Sequence, residues 1–175
     1  MLRRTFLPGF FLLATVVARA QFNNSLPPAG ETTAIFLLTA GAEGSLPVGS
    51  FGKMTSIGLG AEAKAWLFGS GRGATLGLGL RRFSGKSTDG SKLPSATLVP
   101  VKAGYLLFFA ETFFAEPQVG YSFGSTGSKG FTYSIGLGSV LGERSLLTAR
   151  FETVSAVQSS LRFLSLQYAF ALSAL

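Results

Sequence analysis

The chain contains no cysteine and no histidine among its 175 residues. Without cysteine it has no disulfide framework, no thiolate chemistry and no lipid-modified N-terminal cysteine. Without histidine it lacks the commonest general base and the commonest metal ligand of proteins. Asp89 is the only aspartate, which excludes a catalytic pair of aspartates. We therefore expect no enzyme, with no catalytic residues, no cofactor and no metal site.

Charge is also scarce. Charged residues make up 13% of the chain, about half of the roughly 25% found in soluble domains. Hydrophobic residues make up 47%, and the chain is rich in glycine, with 23, and in phenylalanine, with 17. No internal apolar run reaches the roughly 20 residues that a membrane-spanning helix needs. Such low charge without spanning helices is unusual for a soluble domain.

The first twenty residues have the pattern of a secretory signal peptide. Arg3 and Arg4 precede an apolar run over residues 10–17, and Ala18-Arg19-Ala20 fits the small-residue cleavage rule. The alternative, a buried or anchoring helix, would need a longer run. Cleavage before Gln21 would remove three arginines and lower the net charge from +7 to +4. We accordingly expect an exported protein that binds no nucleic acid, with residues 21–31 as an irregular periplasmic lead-in.

The rest of the chain alternates apolar and small or polar residues with a period of two, which is typical of β-strands. In residues 55–68, for example, Leu59 and Leu67 fall on one face, and Gly60 and Lys64 fall on the other. This alternation predicts eight strands, at residues 33–44, 55–68, 74–83, 96–108, 113–124, 130–140, 145–155 and 160–172.

The predicted connections alternate in length. Longer ones at residues 45–54, 84–95, 125–129 and 156–159 are interleaved with tight ones at 69–73, 110–112 and 141–144. This pattern is typical of outer-membrane barrels, whose turns are short on the periplasmic side and longer outside. The sequence thus predicts an all-β fold over residues 32–172, an eight-stranded antiparallel up-and-down transmembrane β-barrel.

The charged residues indicate which face points inward. Four acids and four bases share one phase of the predicted strands with glycine, serine and threonine, whereas the other phase is apolar. A membrane barrel is apolar outside and polar inside, and a soluble lipocalin-like barrel is the reverse. We expect an ion-pair network in the lumen, built by Glu43, Glu62, Lys64, Arg81, Lys102, Glu116, Arg150 and Glu152.

Two features concern the strand register and the interior. Pro100 and Pro117 lie inside predicted strands, where each removes a ladder hydrogen bond, and we interpret them as marking bulges. The interior of an eight-stranded barrel is just wide enough for side chains. We expect Trp66, Phe114 and the paired charges to fill it, so that no open pore remains.

Two segments carry a family resemblance, namely LVPVKAGY at residues 98–105 and FAEPQVGYSFG at residues 114–124. They resemble the central hairpin of the small outer-membrane β-barrel proteins common in Bacteroidota, which are similar in shape to OmpX and the membrane domain of OmpA. The resemblance spans residues 32–172 and implies an outer-membrane location. It also implies that the barrel-assembly machinery reads a C-terminal aromatic; Tyr168 and Phe170 fit that spacing, although Leu172 and a short tail follow.

A second group of bases falls at the predicted outer rim, where only Asp89 offsets them. The members of this rim are Lys53, Arg82, Lys86, Lys92, Lys129 and Arg162. Phosphorylated lipopolysaccharide in the outer leaflet would offer phosphate contacts to such bases.

The function expected from these features is a structural or interaction role in the cell envelope, with membrane lipid, lipopolysaccharide or another envelope protein as partner. Two alternatives remain open. The first is a secreted lipocalin-like barrel that binds a small apolar ligand. The second is a lipid-modifying barrel enzyme that works without histidine.

Overall fold

A computed structural model describes residues 35–88, 91–125, 129–156 and 160–174. Within these ranges, eight antiparallel strands form a closed barrel. Each strand pairs with its neighbours along the chain, which confirms the predicted up-and-down fold. The predicted signal peptide and lead-in, together with Asp89, lie outside the described residues.

The elements follow the predicted strands closely. Their bounds are β1 Ile35–Val48, α1 Gly49–Met54, β2 Thr55–Gly69, β3 Arg72–Gly85, β4 Ser87–Thr88, β5 Ser91–Lys92, β6 Ala96–Phe108, β7 Phe113–Gly124, β8 Gly130–Leu141, β9 Ser145–Ala156 and β10 Ser160–Ala174. Around the barrel the strands follow the order β1-β10-β9-β8-β7-β6-β3-β2, with β2 returning to β1. The pair β4 and β5 forms a small separate hairpin within the loop between β3 and β6.

The short connections gather at one end of the barrel, which we call the turn end. Between β2 and β3, Ser70 and Gly71 both have positive φ, of 50° and 78°. Positive φ at both central residues is the geometry of a type I′ turn, whose twist matches that of the flanking strands. The opposite end, which we call the loop end, carries α1 and the β4–β5 hairpin.

The predicted loop at residues 45–54 is wrong in part. Strand β1 continues to Val48, and α1 follows directly. The Thr55 hydroxyl donates to the Phe51 carbonyl at 2.9 Å, and the Phe51 ring packs edge-on against Phe83 with centroids 5.0 Å apart. A six-residue helix is too short to show a helical period, which explains why the alternation analysis did not find it.

The interpretation of the two prolines as bulges is also wrong. Pro100 pairs with Ser122 and Pro117 with Ile135, and the register on either side of each proline is unchanged. The missing N–H interrupts the ladder locally without shifting it. The register shifts lie elsewhere, at Leu38/Thr39 between β1 and β10 and at Thr55/Gly58 between β2 and β3.

The last described residues belong to the barrel. Strand β10 continues past Phe170 to Ala174, which pairs with Leu37 of β1. The register shift at Leu38/Thr39 accommodates this extra length. The residues that follow the C-terminal aromatics therefore help to close the barrel seam.

Rows of residues that pair across successive strands shift along the strands, toward the loop end, as they pass round the barrel. A row that starts at Arg72 of β3 returns to the same strand at Arg82, ten residues nearer the loop end. It runs through Leu107, Ala115, Leu137, Ala149, Leu166, Gly44 and Leu59. This stagger accompanies the tilt of the strands, which is typically 35–45° in closed barrels.

The two faces of the wall have opposite character. Large apolar side chains are exposed on the outer face of all eight barrel strands, with Leu59 at 68% and Leu76 at 60% exposure. The inner face buries serine, threonine, glutamine and charged side chains. Within the described ranges, no helix has the length and apolar character needed to cross a membrane.

Candidate functional site

The lumen holds the first candidate site, a buried ion-pair network. All eight residues expected from the alternation lie here, on β1, β2, β3, β6, β7 and β9. The members are Glu43, Glu62, Lys64, Arg81, Lys102, Glu116, Arg150 and Glu152, and none is more than 4% exposed. Each of them takes part in at least one ion pair. Four acids and four bases balance, so the network carries no net formal charge.

Glu62 is the centre of the network because its carboxylate contacts all four bases. Its oxygens lie 3.1 Å from Lys102 Nζ and 3.3 Å from Lys64 Nζ. They lie 3.3 Å from Arg150 Nη1 and 3.5 Å from Arg81 Nη2. The contact with Arg81 joins adjacent strands, whereas the contacts with Lys102 and Arg150 cross the lumen.

The other acids extend the network toward both ends. Arg81 contacts Glu43 through its Nε and donates from Nη1 to Glu152 at 2.5 Å. Lys102 Nζ donates to the second oxygen of Glu152 at 2.8 Å. On the turn-end side, Lys64 Nζ donates to Glu116 at 2.6 Å. The guanidinium groups thus bridge strands that are not neighbours in the sheet.

Neutral residues that the sequence analysis did not single out complete the coordination. The Thr75 hydroxyl donates to Glu116 at 2.7 Å, and Ser45 donates to Glu43 at 3.2 Å. Arg150 donates to the amide oxygen of Gln167 at 3.3 Å. These three residues share the inward phase of their strands, so the alternation held the signal that could have found them.

Glycines make room for the charged side chains. Seven of the eight charged residues sit directly across a strand from a glycine, and Glu152 sits across from Ser134. Gly60 faces both Glu43 and Arg81, and Gly136 faces both Glu116 and Arg150. A small barrel interior is filled by alternating small and large side chains in this way.

Two apolar layers enclose the network. The loop-end layer consists of Phe51, Phe83, Ala96, Leu98, Val154, Leu161 and Phe163. The turn-end layer consists of Trp66, Phe68, Leu106, Phe114 and Leu146. Charges stack on both layers, with Arg81 5.2 Å from the Phe163 ring and Lys64 5.0 Å from the Trp66 ring. Buried apolar side chains thus flank the charged middle of the lumen on both sides.

The second candidate site is the basic rim at the loop end. Lys53, Arg82, Lys86, Lys129 and Arg162 are exposed there, while the side chain of Lys92 lies outside the described set. Lys86 Nζ donates to the Gly52 carbonyl of α1 at 2.6 Å, so this base also holds the helix in place. Outside the lumen, no acidic side chain accompanies these bases among the described residues of this end.

Comparisons with known proteins identify the fold. No protein-family model matches the chain, and no curated protein matches it. Among solved structures, the crystal structure of Ail of Yersinia pestis is 15% identical with a TM-score of 0.61, covering 81% of this chain and 99% of that one.

Two further structures have the same architecture. The outer membrane protein Ail in a phospholipid bilayer nanodisc is 17% identical with a TM-score of 0.59, covering 79% of this chain and 99% of that one. Neisserial surface protein A is 14% identical with a TM-score of 0.52, covering 78% and 95%. At such low identity these similarities establish the barrel fold and nothing about activity.

Proposed function

We propose that this protein spans the bacterial outer membrane as a sealed, non-enzymatic barrel with a structural or interaction role in the envelope. The observation that carries the proposal is the inverted polarity of the wall. Leucine, isoleucine, phenylalanine and tyrosine cover the outside, and eight charges lie inside. A soluble monomer rarely exposes a contiguous apolar patch larger than a few hundred Å², whereas lipid favours such a surface.

The same observation argues against the lipocalin-like alternative. A barrel that binds a small apolar ligand needs an apolar interior. In this protein the middle of the lumen is occupied by Arg81, Arg150 and their carboxylate partners. A membrane barrel of the opposite polarity is disfavoured as well, because an Arg or Lys facing lipid near the midplane costs about 2–4 kcal/mol.

Export and assembly belong to the proposal. Residues 1–20 would direct the chain out of the cytoplasm and be removed before Gln21. The C-terminal strand, with Tyr168 and Phe170 on its outer face, would present the signal read by the barrel-assembly machinery. The fold similarity to Ail, described as an outer membrane protein, supports this location.

The basic rim would give the barrel its contact with the outer leaflet. Guanidinium and ammonium groups bind phosphate through charge-assisted hydrogen bonds. Arg82 and Arg162 project outward from β3 and β10 close to the loop end, where lipid headgroups would lie. We propose lipopolysaccharide as the lipid partner, with a second envelope protein as a further partner.

Ion conductance in planar bilayers tests the sealed state. The refolded protein should insert without producing large, steady conductance steps, because two apolar layers and the paired charges fill the lumen. A porin of known conductance, reconstituted in parallel, controls for insertion and detection. Reproducible porin-like steps from this protein would contradict the sealed barrel and would require a cleared lumen or an oligomeric pore.

A further inference from the structure

The outer wall of β8, β9 and β10 changes from apolar to polar close to the loop end. Three successive rows of outward residues, each paired across these three strands, show the change. From the barrel middle toward the loop end, the rows are Ile135 with Phe151 and Leu164, Tyr133 with Thr153 and Arg162, and Phe131 with Ser155 and Ser160. The first row is entirely apolar, whereas β9 and β10 contribute only hydroxyls and a guanidinium to the other two.

Thr153, in the middle row, shows that the side chains beside it lean together. It is only 2% exposed although it lies on the outer face, where its neighbours along the strand, Phe151 and Ser155, are exposed. Its partners on the two adjacent strands are Tyr133 and Arg162. A short side chain on a convex wall is covered only when longer side chains beside it lie across it. The burial of Thr153 therefore indicates that the phenol of Tyr133 and the guanidinium of Arg162 approach each other above it.

The distance between these two side chains suits one small anion. Paired residues on adjacent antiparallel strands have Cα atoms roughly 4.5–5.5 Å apart, so two steps place the Cα atoms of Tyr133 and Arg162 about 10 Å apart. Only β9 separates the strands that carry them. Both side chains are long, and both are exposed at their ends. A group of the size of a phosphate held above Thr153 is therefore within reach of both.

The polar groups of these rows match the chemistry of a phosphate. Arg162 forms no ion pair with any described residue, and its planar fork can bind a phosphate bidentately. In the row above, Ser155 and Ser160 face each other directly across β9 and β10, and both are exposed. Their hydroxyls can donate to the remaining oxygens. The loop-end part of β1 and β2 offers no such groups on its outer face, where Leu46 and Ile57 are exposed.

We propose that these rows form a single site, which we call the β9–β10 headgroup site, for the phosphate of one membrane lipid. Arg162 and Tyr133 bind the phosphate from its two sides, and Ser155 and Ser160 bind it from the loop end. An acyl chain lies on the apolar row directly beneath, which is why the occupant is a lipid and not a free phosphate. The inference rests on the proposed membrane function and deepens it, because it assigns one defined phosphate site within the basic rim.

Native mass spectrometry of the intact protein in neutral detergent tests the site, because it counts the lipids bound to each barrel. The probes are lipid A and lipid A from which the phosphates have been removed. We expect one tightly bound lipid A per barrel. The dephosphorylated lipid, and lipid A with the variant Arg162→Gln, should each bind about ten-fold or more weaker, because a charge-assisted contact is lost. Tyr133→Phe removes one neutral hydrogen bond and should weaken binding about three-fold.

Arg72→Gln is the matched control, because it removes an exposed base at the turn end and should leave the affinity unchanged. Heat-dependent gel migration checks that each variant is folded.

Arg82→Gln separates one defined site from a general basic rim. Arg82 also pairs with a threonine, Thr97, but that residue is only half-buried, so the loss should be about two-fold or less, as for an exposed charge. Equal losses from Arg82→Gln and Arg162→Gln, or displacement of lipid A by an equal concentration of inorganic phosphate, would overturn the site and leave the membrane barrel standing. Failure of the unmodified protein to enter micelles or bilayers would instead contradict the proposed function.

Discussion

Glu62 shows how the lumen is specified at the scale of single residues. The residue is 3% exposed, and its carboxylate contacts Lys64, Arg81, Lys102 and Arg150. Burying ions costs several kcal/mol each, and their mutual attraction repays this cost only when the geometry is good. The network is therefore better understood as a constraint on which strands face one another than as a large source of stability.

Removing Glu62 should be costly because it leaves four buried bases against three acids. Glu62→Ala is expected to destabilise the barrel by about 3–5 kcal/mol. Leu59→Ala, on the same strand but 68% exposed on the outer face, should cost about 1 kcal/mol or less, because detergent fills the space left behind. Urea unfolding in detergent micelles measures both.

Glu62→Gln is a second comparison, because it keeps the shape and one acceptor oxygen while removing the charge. Its cost should fall between those of the other two variants. If Leu59→Ala proves more damaging than Glu62→Ala, the assignment of inner and outer faces is reversed.

The sequence predicted the members of the network but not its centre. Each charged residue could be placed on the inward phase from its own strand alone, since the phase follows from local alternation. The contacts of Glu62 with Lys102 and Arg150 cross the lumen between strands that are not adjacent. Such contacts depend on the stagger of the closed barrel, which no local pattern records.

Single strands were predictable to within a few residues, and the failures have local causes. The alternation was regular enough to locate all eight barrel strands. Helix α1 was missed because six residues cannot show a period, and its key side chain, Phe51, stands among glycine and serine. The prolines were misread because the loss of a ladder hydrogen bond does not by itself shift the register.

A glycine whose Cα lies close to the backbone of the neighbouring strand should not tolerate an added methyl group. A Cβ added at Gly120 would contact the Val101 carbonyl and lie 2.7 Å from Lys102 Cα. Because both are backbone atoms, strands β6 and β7 would have to separate. Gly120→Ala is expected to cost about 1–3 kcal/mol, as overpacking commonly does.

Gly44→Ala is the matched control, since its added Cβ meets nothing within 4 Å. It should be neutral or slightly stabilising. The unfolding midpoints of the two variants, measured side by side in the same detergent, provide the comparison, and equal effects would show that β6 and β7 are not closely apposed at Gly120.

At the scale of the whole molecule, the two faces of the barrel wall differ in polarity: the outer face is apolar, and the inner face is polar and charged. The low charge of the sequence, 13%, reflects this arrangement, because the outer face is almost free of charge and the inner face holds four acids and four bases. The apolar layers at both ends separate those charges from the two mouths of the barrel. The proposed function accordingly predicts a barrel that presents surfaces to lipid and to the exterior and conducts no ions.

The absence of cysteine allows the central claim to be tested directly. Single cysteines placed one by one at residues 131–137 of β8 can be spin-labelled without background, and their accessibility to oxygen measured in lipid bilayers. Positions 131, 133, 135 and 137 are exposed on the outer face, and positions 132, 134 and 136 are buried in the lumen. The account predicts high oxygen accessibility at the four outer positions, low accessibility at the three inner ones and a strict period of two. High accessibility of the outer spin labels to a water-soluble relaxation agent would contradict it, because the apolar face would then not lie in lipid.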